Sequence, residues 1–132
     1  MRHMSFALTT PQILARTKTV TRRLGWTFLK PGDLIQAVEK GMGLKKGEQV
    51  KRLAVLRVDN VRREPLTRLL EDTRFYGPLE VRKEGFTDLR FLSVNEFVEM
   101  FCRTHKGCTP DTEVTRIEFE YVDPQADARR AR

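Results

Sequence analysis

The segment from Val50 to Arg63 constrains the fold more than any other. Leu53, Val55 and Arg57 fall on one side of an extended chain, and Ala54, Leu56 and Val58 on the other. Apolar residues on both sides describe a long strand that is covered on both faces in places. Pro65 ends it. Gly41 to Gly47, with three glycines and two lysines, reads as the loop before it. A chain of 132 residues is one domain's worth, so a single core must do the covering.

Shorter elements surround this strand. Arg2 to Leu8 reads as a strand. Thr9-Thr10-Pro11 announces a short helix anchored by Ile13 and Leu14, with a threonine cap and a proline in the first turn. The β-branched run Lys18-Thr19-Val20-Thr21-Arg22-Arg23 reads as a strand, and so does Leu34 to Glu39 after the Lys30-Pro31-Gly32-Asp33 turn. Leu66 to Thr73 has helical spacing, and Phe75-Tyr76-Gly77-Pro78 reads as a break. Leu79 to Lys83 fits either state, and Glu84-Gly85-Phe86 reads as a turn. Ser93 with Glu96 three residues on predicts a capping box. It opens a helix to about Arg103 with Phe97, Met100 and Phe101 on its apolar face, and Gly107 stops it. Glu113 to Val122 alternates as a half-buried strand with Ile117, Phe119 and Tyr121 facing in. Mostly antiparallel strands with helices at the ends describe a small α+β barrel, followed by a disordered basic tail over residues 123–132.

Charge and composition narrow the setting. Lysine and arginine outnumber acidic residues by 25 to 18, a formal charge of +7, which suits a polyanionic partner. No apolar run approaches the roughly 20 residues of a membrane span, nor does the N-terminus hold a signal-peptide core, so no membrane partner is expected. Two cysteines, Cys102 and Cys108, argue against a disulfide scaffold and for a reducing cytoplasm.

Four features occur together: Ile13-Leu14 leading into Lys18-Thr19-Val20-Thr21-Arg22-Arg23, the Leu29-Lys30-Pro31-Gly32-Asp33 turn, Glu84-Gly85-Phe86 followed by Ser93 to Phe101, and the closing Ile117-Glu118-Phe119 strand. On these residues the chain resembles the ASCH domain family, whose fold is a β-barrel of the PUA-like group. The resemblance spans about Met4 to Val122 and is similar in form to small stand-alone bacterial and phage members. It implies RNA-related work. Members include an amidohydrolase acting on N4-acetylcytidine, and others have been proposed to be ribonucleases. In the amidohydrolase a lysine accepts a proton, a threonine three residues on is the nucleophile, and a downstream glutamate donates a proton. Lys18 and Thr21 match the first two. Glu84 is the closest match to the third, although the stretch Asp88 to Leu92 separates it from Ser93 differently from the family pattern. Glu80 and Asp88 are alternatives.

The residues themselves set conditions on that chemistry. Amide hydrolysis needs a nucleophile, a base and an acid for the leaving amine. A lysine serves as base when burial or the nearby positive charges of Arg22 and Arg23 lower its pKa from about 10.4. On a regular strand residues i and i+3 point to opposite faces, so Lys18 and Thr21 meet only if Lys18 precedes the strand or a bulge intervenes. An irregularity at Thr17 to Thr19 is therefore expected. In the plainer alternative Lys18 binds phosphate and Thr21 fills a strand position. Arg22 and Arg23 suit a bidentate grip on phosphate, or a solvated surface pair. Trp26 beside them suits base stacking or the closing of the barrel end. Lys40, Lys45 and Lys46 form a basic loop able to follow a nucleic-acid backbone, or a plain solvated hairpin. Cys102, His105 and Cys108 repeat every three residues, but a fourth zinc ligand is missing nearby, so neither metal nor cofactor is expected. The sequence thus points to an RNA- or nucleoside-binding cleft around Lys18, Thr21 and Arg23, with hydrolysis or RNA cleavage as the enzymatic alternatives.

Overall fold

The structure, a computed structural model, describes residues 1–41 and 44–123. Five strands appear among them: β1 (Arg2–Ser5), β2 (Val20–Arg23), β3 (Leu34–Val38), β4 (Arg52–Pro65) and β5 (Glu113–Tyr121). Four helices accompany them: α1 (Thr10–Leu14), α2 (Thr67–Glu71), α3 (Tyr76–Lys83) and α4 (Val94–Thr104). The strands form one sheet in the order β1-β3-β4-β5-β2, with β1 parallel to β3 and every other pair antiparallel. This α+β sheet curls into a half-barrel of the PUA-like kind. No helix among the described residues is long and apolar enough to cross a membrane. The tail beyond Asp123 lies outside the described residues.

The long strand is β4, and it pairs with β3 along its first half and β5 along most of its length. Its register is reset twice, first against β3 between Ala37 and Val38, where Leu53 is the extra residue. The register with β5 shifts between Val58 and Asn60, leaving Asp59 as the extra residue of a bulge. Before the bulge Leu56 and Val58 enter the core; after it Val61 faces the same way and Glu64 is carried to the opposite face. An unbroken strand would have put Val58 and Glu64 on the same side.

Two apolar clusters result. One, inside the curl, gathers Met4, Phe6, Ile13, Leu56, Ile117 and Phe119. Ile117, Phe119 and Tyr121 do face in. The other joins the helices to the outer face of the sheet, through Leu66, Leu69, Val81, Phe97, Val98 and Val114. Its existence corrects one expectation: β5 is not half-buried, because the helices also cover Val114 and Arg116 on its second face.

The helices follow local signals with one exception. Ser93 and Glu96 form the expected reciprocal capping box of α4. Pro11 lies in the first turn of α1, although Thr9 makes no side-chain cap. The break expected at Tyr76-Gly77-Pro78 is instead the first turn of α3. Proline is tolerated there because first-turn N–H groups have no intrahelical partner. Gly77 is required by contact: a Cβ on it would lie 2.5 Å from the Leu69 carbonyl oxygen.

Candidate functional site

The strand carrying the basic motif starts later than its β-branched residues suggest. β2 begins at Val20, so Lys18 precedes it, and Arg16 just upstream has a left-handed backbone with φ of 60°. Thr17 to Thr19 thus lie between α1 and β2, where an irregularity is expected, while the left-handed residue itself is Arg16. The Lys18 backbone is tied down at both ends. Its N–H reaches the Gln12 carbonyl at 3.4 Å, and its carbonyl accepts the Tyr121 hydroxyl at 2.6 Å. Thr19 donates to the Lys83 carbonyl at 2.8 Å, which ties the segment to the end of α3.

Pairing with β5 then decides where the motif's side chains go. Thr21 lies opposite Ile117 and Arg23 opposite Thr115, whereas Arg22 lies opposite Arg116 on the other face. Arg22 and Arg23 therefore do not form a fork, which corrects the expectation of a shared grip on one phosphate. Arg23 donates from Nε to Thr21 Oγ1 at 3.1 Å and stacks 4.6 Å over the Phe6 ring.

Arg22 is fully enclosed among carboxylates. It donates to Glu84 at 2.9 Å, to Glu80 at 2.6 Å and to Glu64 at 3.4 Å. Glu64 reaches it because of the β4 bulge. Arg116 grips Glu80 with both Nε and Nη2. Lys18 donates from Nζ to Glu84 Oε1 and to the Glu84 carbonyl, both at 2.8 Å. Three buried cations, Lys18, Arg22 and Arg116, thus face three buried carboxylates, Glu64, Glu80 and Glu84. Equal charge and direct hydrogen bonds make such a buried cluster tolerable, because each ion has lost its water.

The cluster shifts titrations in opposite directions. Burial pulls the Lys18 ammonium below its ordinary 10.5, with Arg23 and Arg22 adding to the fall and Glu84 opposing it. Burial likewise draws Arg23 down to about 10 against the attraction of Glu84. For Glu80, burial would raise the pKa, but hydrogen bonds from Arg116 and the charge of Arg22 prevail and hold it at about 2.

A cavity of about 240 Å³ opens beside these groups. Ser5 and Phe6 at the end of edge strand β1 line it, as do Thr21 and Arg23 of the other edge strand, β2, so it lies where the half-barrel is open. Lys18 and Glu84 lie in its polar wall. Phe86 and the α4 residues Phe97, Met100 and Phe101 form an apolar wall. The volume falls below the roughly 300–1,000 Å³ of drug-sized pockets.

Lys18, Thr21, Glu84, Arg22 and Arg23 therefore come together, as the motif suggested. Trp26 does not join them; half-buried, it packs on the inner core with its ring 5.5 Å from that of Phe28. Lys40, Lys45 and Lys46 do not line this cavity either. Lys40 borders a separate hollow with Glu39, Glu48 and Lys51. Asp88, one alternative to Glu84, instead pairs with exposed Arg90 at 3.0 Å. Glu80 is occupied by Arg22 and Arg116. Residues that sequence reasoning missed are Tyr121 and Arg116, which act through contacts about 100 and 36 positions away in the chain; no local pattern marks them. Among the described residues no three ligating side chains gather for a metal ion.

Comparison with solved structures places this architecture. The chain matches the crystal structure of hypothetical protein PH0355 with a TM-score of 0.61 and 19% identity, over 92% of this chain and 100% of that one. It matches protein EF3133 from Enterococcus faecalis V583 with a TM-score of 0.56 and 16% identity, covering 92% and 80%. It matches an ASCH domain from Lactobacillus crispatus JV V101 with a TM-score of 0.52 and 13% identity, covering 91% and 78%. The chain has the fold of an ASCH domain. At sequence level no family model and no curated protein matches it. In this ASCH fold the cavity, the motif of β2 and the turn after α3 are neighbours because the two sheet edges curl toward each other.

Proposed function

We propose that the cavity binds an acylated pyrimidine nucleoside of the N4-acetylcytidine type and that Lys18, Thr21 and Glu84 hydrolyse its amide. The observation that carries this reading is that all three groups line one small cavity, with the Lys18 amine and the Glu84 carboxylate in direct hydrogen bond. Arg23 donates to the oxygen of Thr21, so the hydroxyl proton is free to leave toward a base. In its amine form, reached when its ammonium gives up a proton, Lys18 takes that proton as Thr21 Oγ1 attacks the acyl carbon. The Arg23 guanidinium balances the negative oxygen that develops. Lys18 passes a proton along its hydrogen bond to Glu84, which donates it to the departing amine nitrogen. Water then cleaves the threonine ester and releases the acid, with the same pair handling its protons. Burial lowers the Lys18 pKa, which favours the amine form that a base requires, and the apolar wall from α4 accommodates the flat ring.

The test is release of acetate and cytidine from N4-acetylcytidine. Thr21→Ala abolishes turnover while the circular dichroism spectrum and unfolding transition stay as in the parent, and Lys18→Met lowers it by about 10²–10⁴-fold. Full activity in Thr21→Ala ends the nucleophile assignment. Absence of turnover together with salt-sensitive RNA affinity would make the protein a binding module instead. RNA cleavage lost in Lys18→Ala would move the same groups to phosphodiester chemistry.

A further inference from the structure

Cys102 and Cys108 sit where α4 ends, on the far side of its cavity-lining residues. Cys102 is in the last turn of α4, and Cys108 follows the turn in which its N–H donates to the His105 carbonyl at 3.1 Å. Their sulfurs are 3.6 Å apart, and both residues are half-buried free thiols packed on the helix-side core. Between them in the chain lie Thr104 and His105, which line the cavity. The His105 ring stacks on Phe101 with centroids 4.0 Å apart, and its Nδ1 is 2.8 Å from the Phe101 carbonyl oxygen.

We propose that Cys102 and Cys108 are a reversible dithiol–disulfide pair whose oxidation draws the His105 turn against α4 and so reshapes the adjoining cavity wall. A disulfide needs its sulfurs at about 2.0 Å, so the pair must close by about 1.6 Å. The turn can supply that movement. Gly107 has φ of 80° with no atom within 4 Å of the place a Cβ would occupy, so nothing packs on the turn at this point. α4 is the fixed partner, since Phe97, Val98 and Phe101 are buried in the core. Closure therefore moves Cys108 and the turn rather than the helix. His105, inside the seven-residue ring from Cys102 to Cys108, is pulled by the moving turn against its stack and hydrogen bond on Phe101, so its ring shifts on the cavity wall.

The electrons go to a low-molecular-weight disulfide such as oxidised glutathione. The Cys108 thiolate attacks one of its sulfurs and displaces a glutathione thiolate, which takes up a proton. Cys102 loses its proton and attacks the Cys108 sulfur of the mixed disulfide, displacing the second glutathione thiolate. Two protein thiols are oxidised, one glutathione disulfide is reduced to two thiols, and protons balance. Burial, then the neighbouring Cys108, push the Cys102 thiol up to about 11.

The inference is independent of what the cavity binds, and its test uses the whole chain without ligand. The protein is equilibrated in glutathione buffers of stepped redox poise, trapped by alkylation and weighed intact, with the His105 ring protons followed by NMR. The expected result is conversion from two alkylatable thiols to none within a monomer, a Cys102–Cys108 linked peptide, a shift of the His105 resonances, and reversal by dithiothreitol. Cys108→Ser, and Cys102→Ala as a second variant, show no His105 shift under the same treatment. A glutathione adduct as the end product, an intermolecular dimer, or a linked pair that leaves the His105 resonances in place would each overturn the proposal.

Discussion

Glu80→Gln tests whether the buried ion cluster holds the fold together. The substitution keeps the shape of a residue 1% exposed but removes its charge and turns one of its two accepting oxygens into an NH2 donor facing an arginine. Arg22 keeps Glu84 and Glu64, whereas Arg116 keeps Glu118 at 3.6 Å as its remaining ion partner. The magnitude follows from titration. The Glu80 carboxyl lies at about 2 in the folded chain and at 4.5 when free. A difference of about 2.5 pKa steps, at about 1.36 kcal/mol each, makes the ionised form worth about 3 kcal/mol to folding. Removing one partner of a buried ion pair costs about 3–5 kcal/mol in general, which agrees. The sign is that of a depressed carboxyl: its stabilisation is full above 4.5 and is lost as pH falls toward 2. Urea unfolding of parent and variant should therefore differ by about 3 kcal/mol at pH 7 and by less than half of that at pH 3. Variants within about 0.5 kcal/mol of the parent at pH 7, or a gap that does not shrink at pH 3, would refute the reasoning.

Gly77→Ala should destabilise the protein in thermal unfolding despite alanine's better helix propensity of about 1 kcal/mol, since the new methyl meets the Leu69 carbonyl at 2.5 Å; a raised melting temperature would show that α2 and α3 can separate freely. Ser93→Ala should lose about 1 kcal/mol in urea titration through the α4 capping box, with little change at the cavity's polar wall. If Lys18 is the base, the rate of deacylation should rise with pH and level off below 10.5, because burial lowers its pKa. An inflection at or above 10.5 would assign the base elsewhere.

Much of the framework was legible in the sequence because its causes are local. The capping box needs two residues three apart, and both partners are visible as Ser93 and Glu96. The inward set Ile117, Phe119 and Tyr121 follows from strand periodicity alone. The strand geometry of the motif was itself informative: Lys18 and Thr21 could share a site only if regular β structure began after Lys18, and β2 begins at Val20. The reading of Tyr76-Gly77-Pro78 as a break failed because glycine and proline usually end helices, whereas here a close crossing with α2 and a first-turn position accommodate them.

By itself, then, the sequence determined most of the strands, the alternation of β5 and the start of α4, and it set the condition under which Lys18 and Thr21 could meet. Tertiary structure alone decided the charges' partners. One extra residue at Asp59 turns Glu64 toward Arg22, and the pairing of β2 with β5 sets Arg22 beside Arg116 and Arg23 beside Thr115. The physical reason is range. Caps and periodicity act over a few residues along the chain, but a buried charge is held by whichever opposite charge the sheet register and helix packing bring within hydrogen-bond distance, here from 36 to 66 positions away.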